Sequence, residues 1–160
     1  MSETHAIDST CDTRTTSKRQ ALMRICAHAT EAELEIAVAG LDPRPEGVDV
    51  RPAEIGLVML RGRIGGSGAA FNVGEATVTR AVVRLRSGET GYAYLLGRSK
   101  RRARLAAILD AASQHPAYRQ TLKWNLIDPV TERVEREAKT VREETEATRV
   151  EFFTLVRGED

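Results

Sequence analysis

The chain has 160 residues, 24 Lys+Arg against 23 Asp+Glu, and 41% hydrophobic residues. That length suits one domain, and the apolar content argues against wholesale disorder. No apolar run approaches the roughly 18 residues of a membrane span, and the N-terminus lacks the apolar core of a signal peptide. Two cysteines, Cys11 and Cys26, make neither a disulfide framework nor a metal cluster. The expectation is a soluble cytoplasmic chain.

Residues 1–16 are rich in Ser, Thr and Asp and read as a flexible N-terminal tail. Ser17 with Gln20 resembles a capping box, and Leu22, Ile25, Cys26 and Ala29 then share one helical face. Thr30 with Glu33 repeats the capping signal ahead of Leu34, Ala37, Val38 and Leu41, with Gly40 and Pro43 as punctuation. These two short helices predict a hairpin. From Gly47 the pattern turns to strands. Val48 and Val50 alternate with charged neighbours, and residues 56–64 form an apolar run expected to be mostly buried. Thr79, Ala81, Val83 and Leu85 share one face by period two, with Arg80, Val82, Arg84 and Arg86 on the other. Ser87-Gly88-Glu89 reads as a turn returning through Tyr92 to Leu96. An antiparallel sheet with one wetted, arginine-bearing face follows.

Ser99 suits the N-cap of a helix carrying Leu105, Ile108, Leu109 and Ala112 on one side and ending near Pro116. Residues 117–126 are shorter helical or irregular structure. Asp128-Pro129 predicts another helix start, a capping carboxylate followed by a residue that lacks an amide donor. That helix has a narrow stripe of Val130, Val134, Ala138 and Val141, with Glu132/Arg136 and Glu135/Lys139 as i, i+4 pairs. Val150 to Val156 is a last strand candidate. The fold class is therefore α+β: an antiparallel sheet with an N-terminal helical hairpin and further helices packed on it, in one domain spanning 17–160.

Near-neutral totals hide a division along the chain. Residues 51–104 carry eleven bases and three acids, a balance of +8, against −7 for the remainder. Such asymmetry suggests a basic surface facing an anion, or two regions that neutralise each other within the fold or an assembly. The segment Gly97-Arg98-Ser99-Lys100-Arg101-Arg102 sharpens that choice. Basic residues in a first helical turn oppose the helix dipole, and a bound phosphate or an acidic partner would relieve the conflict. Arg98, Lys100 and Arg101 are accordingly candidate phosphate-binding residues. The loop holding Gly62, Gly65, Gly66 and Gly68 lacks the Gly-Lys-Ser/Thr ending of a phosphate loop and reads as a hairpin connection. Glu75, Thr77, Thr79 and Arg80 read as structural, with Arg80 pairing a carboxylate. His28 and His115 sit at helix ends, where a positive ring suits the dipole. No catalytic triad, cysteine pair or zinc spacing appears, so no catalytic residue and no metal ligand is assigned.

Three separated motifs resemble the PhnG family: Gly-Ser-Gly-Ala-Ala-Phe-Asn-Val-Gly-Glu-Ala-Thr-Val-Thr-Arg-Ala (66–81), Gly-Tyr-Ala-Tyr-Leu-Leu-Gly-Arg-Ser-Lys (91–100) and Arg-Val-Glu-Phe-Phe-Thr-Leu-Val-Arg-Gly (149–158). The resemblance runs in order from about residue 17 to the end. It implies a subunit of the bacterial carbon–phosphorus lyase system, acting with PhnH-, PhnI- and PhnL-like subunits. Together they convert ATP and methylphosphonate into alpha-D-ribose 1-methylphosphonate 5-triphosphate with release of adenine. It also implies a core assembly with PhnH-, PhnI- and PhnJ-like chains, and it carries over no catalytic residue. On that footing the chain is a required, non-catalytic subunit of a hetero-oligomer. No cofactor is bound by this chain, and ATP is a substrate of the complex. Aromatic residues and arginines are enriched at interface hot spots, which makes Tyr92, Tyr94, Phe153 and Arg157 candidate contacts. An alternative has Arg98, Lys100 and Arg101 contribute phosphate binding to a shared active site. A nucleic-acid-binding module is disfavoured by the near-zero net charge and the absence of a reader motif.

Overall fold

The computed structural model describes residues 9–65 and 68–148, with side chains from residue 16 onward. Two helices, α1 (Ser9–His28) and α2 (Glu31–Ala39), precede three antiparallel strands, β1 (Gly47–Arg63), β2 (Ala70–Leu85) and β3 (Thr90–Leu96). Helix α3 (Lys100–Ser113) follows. A single 3-10 turn at Pro116–Tyr118 then leads into α4 (Arg119–Leu122), a π segment (Lys123–Ile127) and α5 (Asp128–Ala147). The sheet order is β1-β2-β3; α3 packs on the sheet, and the other helices pack chiefly around α3 and one another. This is the α+β architecture with an N-terminal helix pair that the patterning implies.

The core follows from the alternation in β2. Thr79, Ala81, Val83 and Leu85 are buried with Ala93 and Leu95 of β3. Against them lies an alanine-rich side of α3, with Ala103, Ala106, Ala107, Ala111 and Ala112 all buried. Small side chains let the helix approach closely. At Gly91 an added Cβ would overlap the Ala107 carbonyl and the Ala111 amide. Leu22 and Cys26 of α1, Leu34 and Val38 of α2, and Leu126 and Val130 complete the same cluster.

Several local expectations are corrected. Ser17 and Gln20 lie inside α1, which begins at Ser9. Neither glycine nor proline occurs before residue 40, so nothing in the backbone forces a start at Ser17. Thr30 does cap α2, accepting from the Glu33 amide at 3.3 Å while the Thr30 amide donates to the Glu33 carboxylate at 2.7 Å. Asp128 is not an N-cap. It is helical, with φ −62° and ψ −51°, and its carboxylate accepts from Lys123 at 2.8 Å. The chain stays helical through Pro129 because the π turn just before it widens the ladder where proline removes a donor. The i, i+4 ion pairs of α5 are Arg133–Glu137 and Lys139–Glu143, in place of the expected Glu132/Arg136 and Glu135/Lys139.

The largest correction concerns residues 56–64. Leu57, Met59, Leu60 and Ile64 are exposed. β1 and β2 are long, but β3 pairs only with Val78–Arg84, and α3 lies under that same half. The outer halves of β1 and β2 pair with each other alone. The run is apolar enough for a core, yet nothing among the described residues covers it. The strand candidate Val150–Val156 lies outside the described residues.

Candidate functional site

β3 ends at Leu96, and the next residue, Gly97, with φ +98°, turns the chain toward α3. Its amide donates to the Thr77 carbonyl at 2.9 Å, and its carbonyl accepts from the Thr79 hydroxyl at 2.7 Å. Thr79 thus has the structural role expected of it. Ser99 caps α3, accepting from the Arg102 amide at 3.1 Å and donating to Glu31 of α2 at 2.8 Å. The basic turn is therefore pressed against the acidic start of α2.

This contact answers the dipole conflict in part. Arg101 reaches Glu35 at 2.6 Å and Glu31 at 3.7 Å. Arg102 donates to the Ala27 carbonyl at 3.1 Å, while its Nε is buried without a hydrogen-bond partner among the described residues. Arg104 pairs with Asp49 at 2.8 Å. Arg98 and Lys100 are exposed and form no ion pair among the described residues. Of the three candidate phosphate-binding residues, two are free to meet an anion and Arg101 is engaged within the chain. Elsewhere Arg80 and Glu54 pair at 2.6 Å, as expected, and Arg86 and Glu46 at 2.7 Å. Of the eleven bases in residues 51–104, Arg86, Arg101 and Arg104 pair with acids from the earlier part of the chain, and Arg51 and Arg80 share Glu54 within the stretch.

The outer sheet face is the second candidate region. Tyr92 and Tyr94 are 56% and 52% exposed, and Leu96 is 69% exposed. They lie across from Val82, Arg80 and Val78. Tyr92 is held from behind: its amide donates to Asp110 at 2.8 Å, and the Arg19 guanidinium stands 5.7 Å from its ring centroid. Arg19 and Gln114 both donate to the Thr90 carbonyl, at 3.3 and 2.8 Å. These side chains occupy the start of the free edge of β3, which would otherwise invite strand pairing. Phe153 and Arg157 lie outside the described residues.

Sequence reasoning missed two ionic anchors. Asp110 is 3% exposed and takes two hydrogen bonds from Arg19. The available signal was a lone acid inside the apolar run Leu-Ala-Ala-Ile-Leu-Asp-Ala-Ala. Arg133 of α5 grips Glu33 at 2.8 and 3.1 Å and donates to the His28 carbonyl at 2.8 Å. That arrangement joins α5 to both opening helices and had no local signature. A groove of about 710 Å³ also lies between α1, the end of α3 and the Arg119–Ile127 stretch. Leu22, Ile25, Leu122 and Ile127 line it together with Lys18, Arg19, Arg24 and Arg119. Among the described residues no group of His, Cys, Asp and Glu is arranged to hold a metal, and no helix is long and apolar enough to cross a membrane.

The family model for phosphonate metabolism protein PhnG matches residues 17–158. The chain belongs to the PhnG family. It is 51% identical over 151 residues to the alpha-D-ribose 1-methylphosphonate 5-triphosphate synthase subunit PhnG of Rhizobium meliloti (strain 1021), covering 94% of this chain and 96% of that protein. The matched span contains all three motifs that carry the sequence resemblance. It also contains the whole sheet and helices α2 to α5.

Proposed function

We propose that this chain is a required, non-catalytic subunit of an alpha-D-ribose 1-methylphosphonate 5-triphosphate synthase, held in a hetero-oligomer with PhnI-, PhnH-, PhnJ- and PhnL-like chains. Membership of the family and the relative's role as a synthase subunit support the assignment. The observation that carries it is the outer sheet face, where Tyr92, Tyr94 and Leu96 stand uncovered on strands fixed from the other side by α3. Rigid aromatic residues on a preorganised surface are what interface hot spots require. The complex takes ATP and methylphosphonate and releases adenine, while this chain positions its neighbours and binds no cofactor of its own.

Co-expression with the PhnI-like chain tests the reading. A co-eluting complex is expected, and Tyr94→Ser should weaken it roughly tenfold or more. A chain that remains alone beside that partner would remove the proposal.

A second reading is favoured by one observation. Arg98 and Lys100 form no ion pair among the described residues at the start of α3, although Arg101 and Arg104 beside them are matched by acids. On this reading they hold triphosphate or phosphonate oxygens in an active site shared with a neighbour. Arg98→Ala with Lys100→Ala should then raise the nucleotide concentration needed for half-maximal rate while assembly is unchanged. Wild-type kinetics would dismiss this reading.

A further inference from the structure

The hairpin formed by β1 and β2 outruns the sheet that supports it. Leu57 pairs with Thr77, Met59 with Glu75 and Leu60 with Gly74; beyond a bulge, Gly62 pairs with Phe71. Side chains alternate between faces, so Leu57 and Met59 lie on one face and Leu60 on the other. Leu57 is 65% exposed, and Met59, Leu60, Phe71 and Val73 are exposed as well. An isolated two-stranded ribbon is marginal in water, and apolar side chains on both of its faces mark an interaction site.

We infer that this outer arm inserts into a cleft of a neighbouring subunit that has apolar walls and an acidic mouth. The inference deepens the subunit reading and rests on it. A flat partner would cover one face and leave the other wet, whereas two walls cover both. The mouth is acidic because the charges nearest the tip of the arm are Arg61 and Arg63; the one acid of the paired segments 57–63 and 70–77, Glu75, lies farther back, opposite Met59. Among the described residues, the apolar groove of a second copy of this chain does not fit the description. That 710 Å³ groove is rimmed by Lys18, Arg19, Arg24 and Arg119, so an arm inserted there would set cation against cation. The recipient is a different polypeptide.

The full-length chain and the PhnI-like partner provide the test. Leu57→Ser/Met59→Ser/Phe71→Ser changes only exposed residues, so the free chain should melt within about 3 °C of wild type. Its affinity for the partner should fall roughly 100-fold. Arg61→Glu/Arg63→Glu should lower the association rate about tenfold at low salt and flatten its salt dependence. Arm amides should exchange quickly in the free chain and slowly in the complex. If the triple variant binds like wild type while Tyr94→Ser still weakens the complex, the arm inference is overturned and the subunit reading stands. If the wild-type chain forms no complex, both fall. A wild-type homodimer that the triple variant converts to monomer would overturn the choice of a different polypeptide.

Discussion

Asp110 of α3 and Arg19 of α1 meet through two parallel hydrogen bonds, Nε to Oδ1 at 3.0 Å and Nη2 to Oδ2 at 2.6 Å. The same carboxylate accepts from the Tyr92 amide, so one buried charge ties α1, α3 and β3 together. Burying a carboxylate is costly unless every lone pair is used, and removing one partner strands the other. Arg19→Ala should therefore destabilise the chain by about 3 kcal/mol. Asp110→Ala should cost a similar amount, because it frees both the guanidinium and a strand amide. The double variant should cost clearly less than the two singles added together. Urea denaturation of the four proteins measures this, and simple additivity would show that the two residues act separately.

Close approach of α3 to β3 leads to a second prediction. Gly91 has the Ala107 carbonyl and the Ala111 amide directly against it, and the Ala111 Cβ would stand 2.9 Å from an added methyl. These are backbone atoms in a helix and cannot rotate away. Gly91→Ala must lift α3 off the sheet, opening gaps along the alanine interface. Overpacking of this kind costs about 1–3 kcal/mol, more where backbone has to shift. Thermal melting would reveal it as a lowered Tm. Because Asp110 of the displaced helix holds the Tyr92 amide, the variant should also bind the synthase partner less well.

The parts of this fold legible from sequence are those where one face meets the chain's own core. Thr79, Ala81, Val83 and Leu85 alternate with arginines because α3 covers one side and water the other. Residues 57–64 are just as apolar, but composition cannot say whether an apolar run is covered by its own chain or by another. Asp128-Pro129 carries a strong local start signal, yet a helix already under way passed through it by widening to a π turn. Arg101 was legible as a charge in need of an anion. That Glu35 supplies one depends on α2 lying beside α3, a tertiary contact with no local trace. Arg98 and Lys100 remain candidates for the same reason in reverse: nothing in the described chain answers them.

Cys26 offers a probe of the buried layer between α1 and the core. Its side chain is fully enclosed, and burial, the largest influence, pushes the thiol up to about 12, with the nearby Asp110 charge acting in the same direction. The thiolate is the reactive form. In a Cys11→Ser background, a thiol reagent at pH 8 should leave the native chain unlabelled and react fully once urea unfolds it. Rapid native labelling would mean that α1 leaves the core on the timescale of the reaction. Arg19→Ala should accelerate labelling, because it releases the same helix.

Glu33 is a carboxylate held well below its ordinary range. Hydrogen bonds from Arg133 are the leading cause; partial burial opposes them, and the Thr30 amide and hydroxyl add to them. Together they draw the group from an ordinary value of 4.5 down to about 2. The folded value lies below the unfolded one, so the unfolded chain takes up this proton first as acid is added. The associated stability is fully present above about pH 4.5 and is lost as pH falls toward 2. Thr30, α2, the end of α1 and α5 all depend on that charge, so its protonation loosens a whole corner of the molecule. Wild-type Tm should drop steeply between pH 5 and 2. Glu33→Gln should start from a lower Tm at pH 7 and show a visibly shallower slope over that interval. Parallel pH profiles for the two proteins would mean that the Arg133–Glu33 contact contributes little in solution.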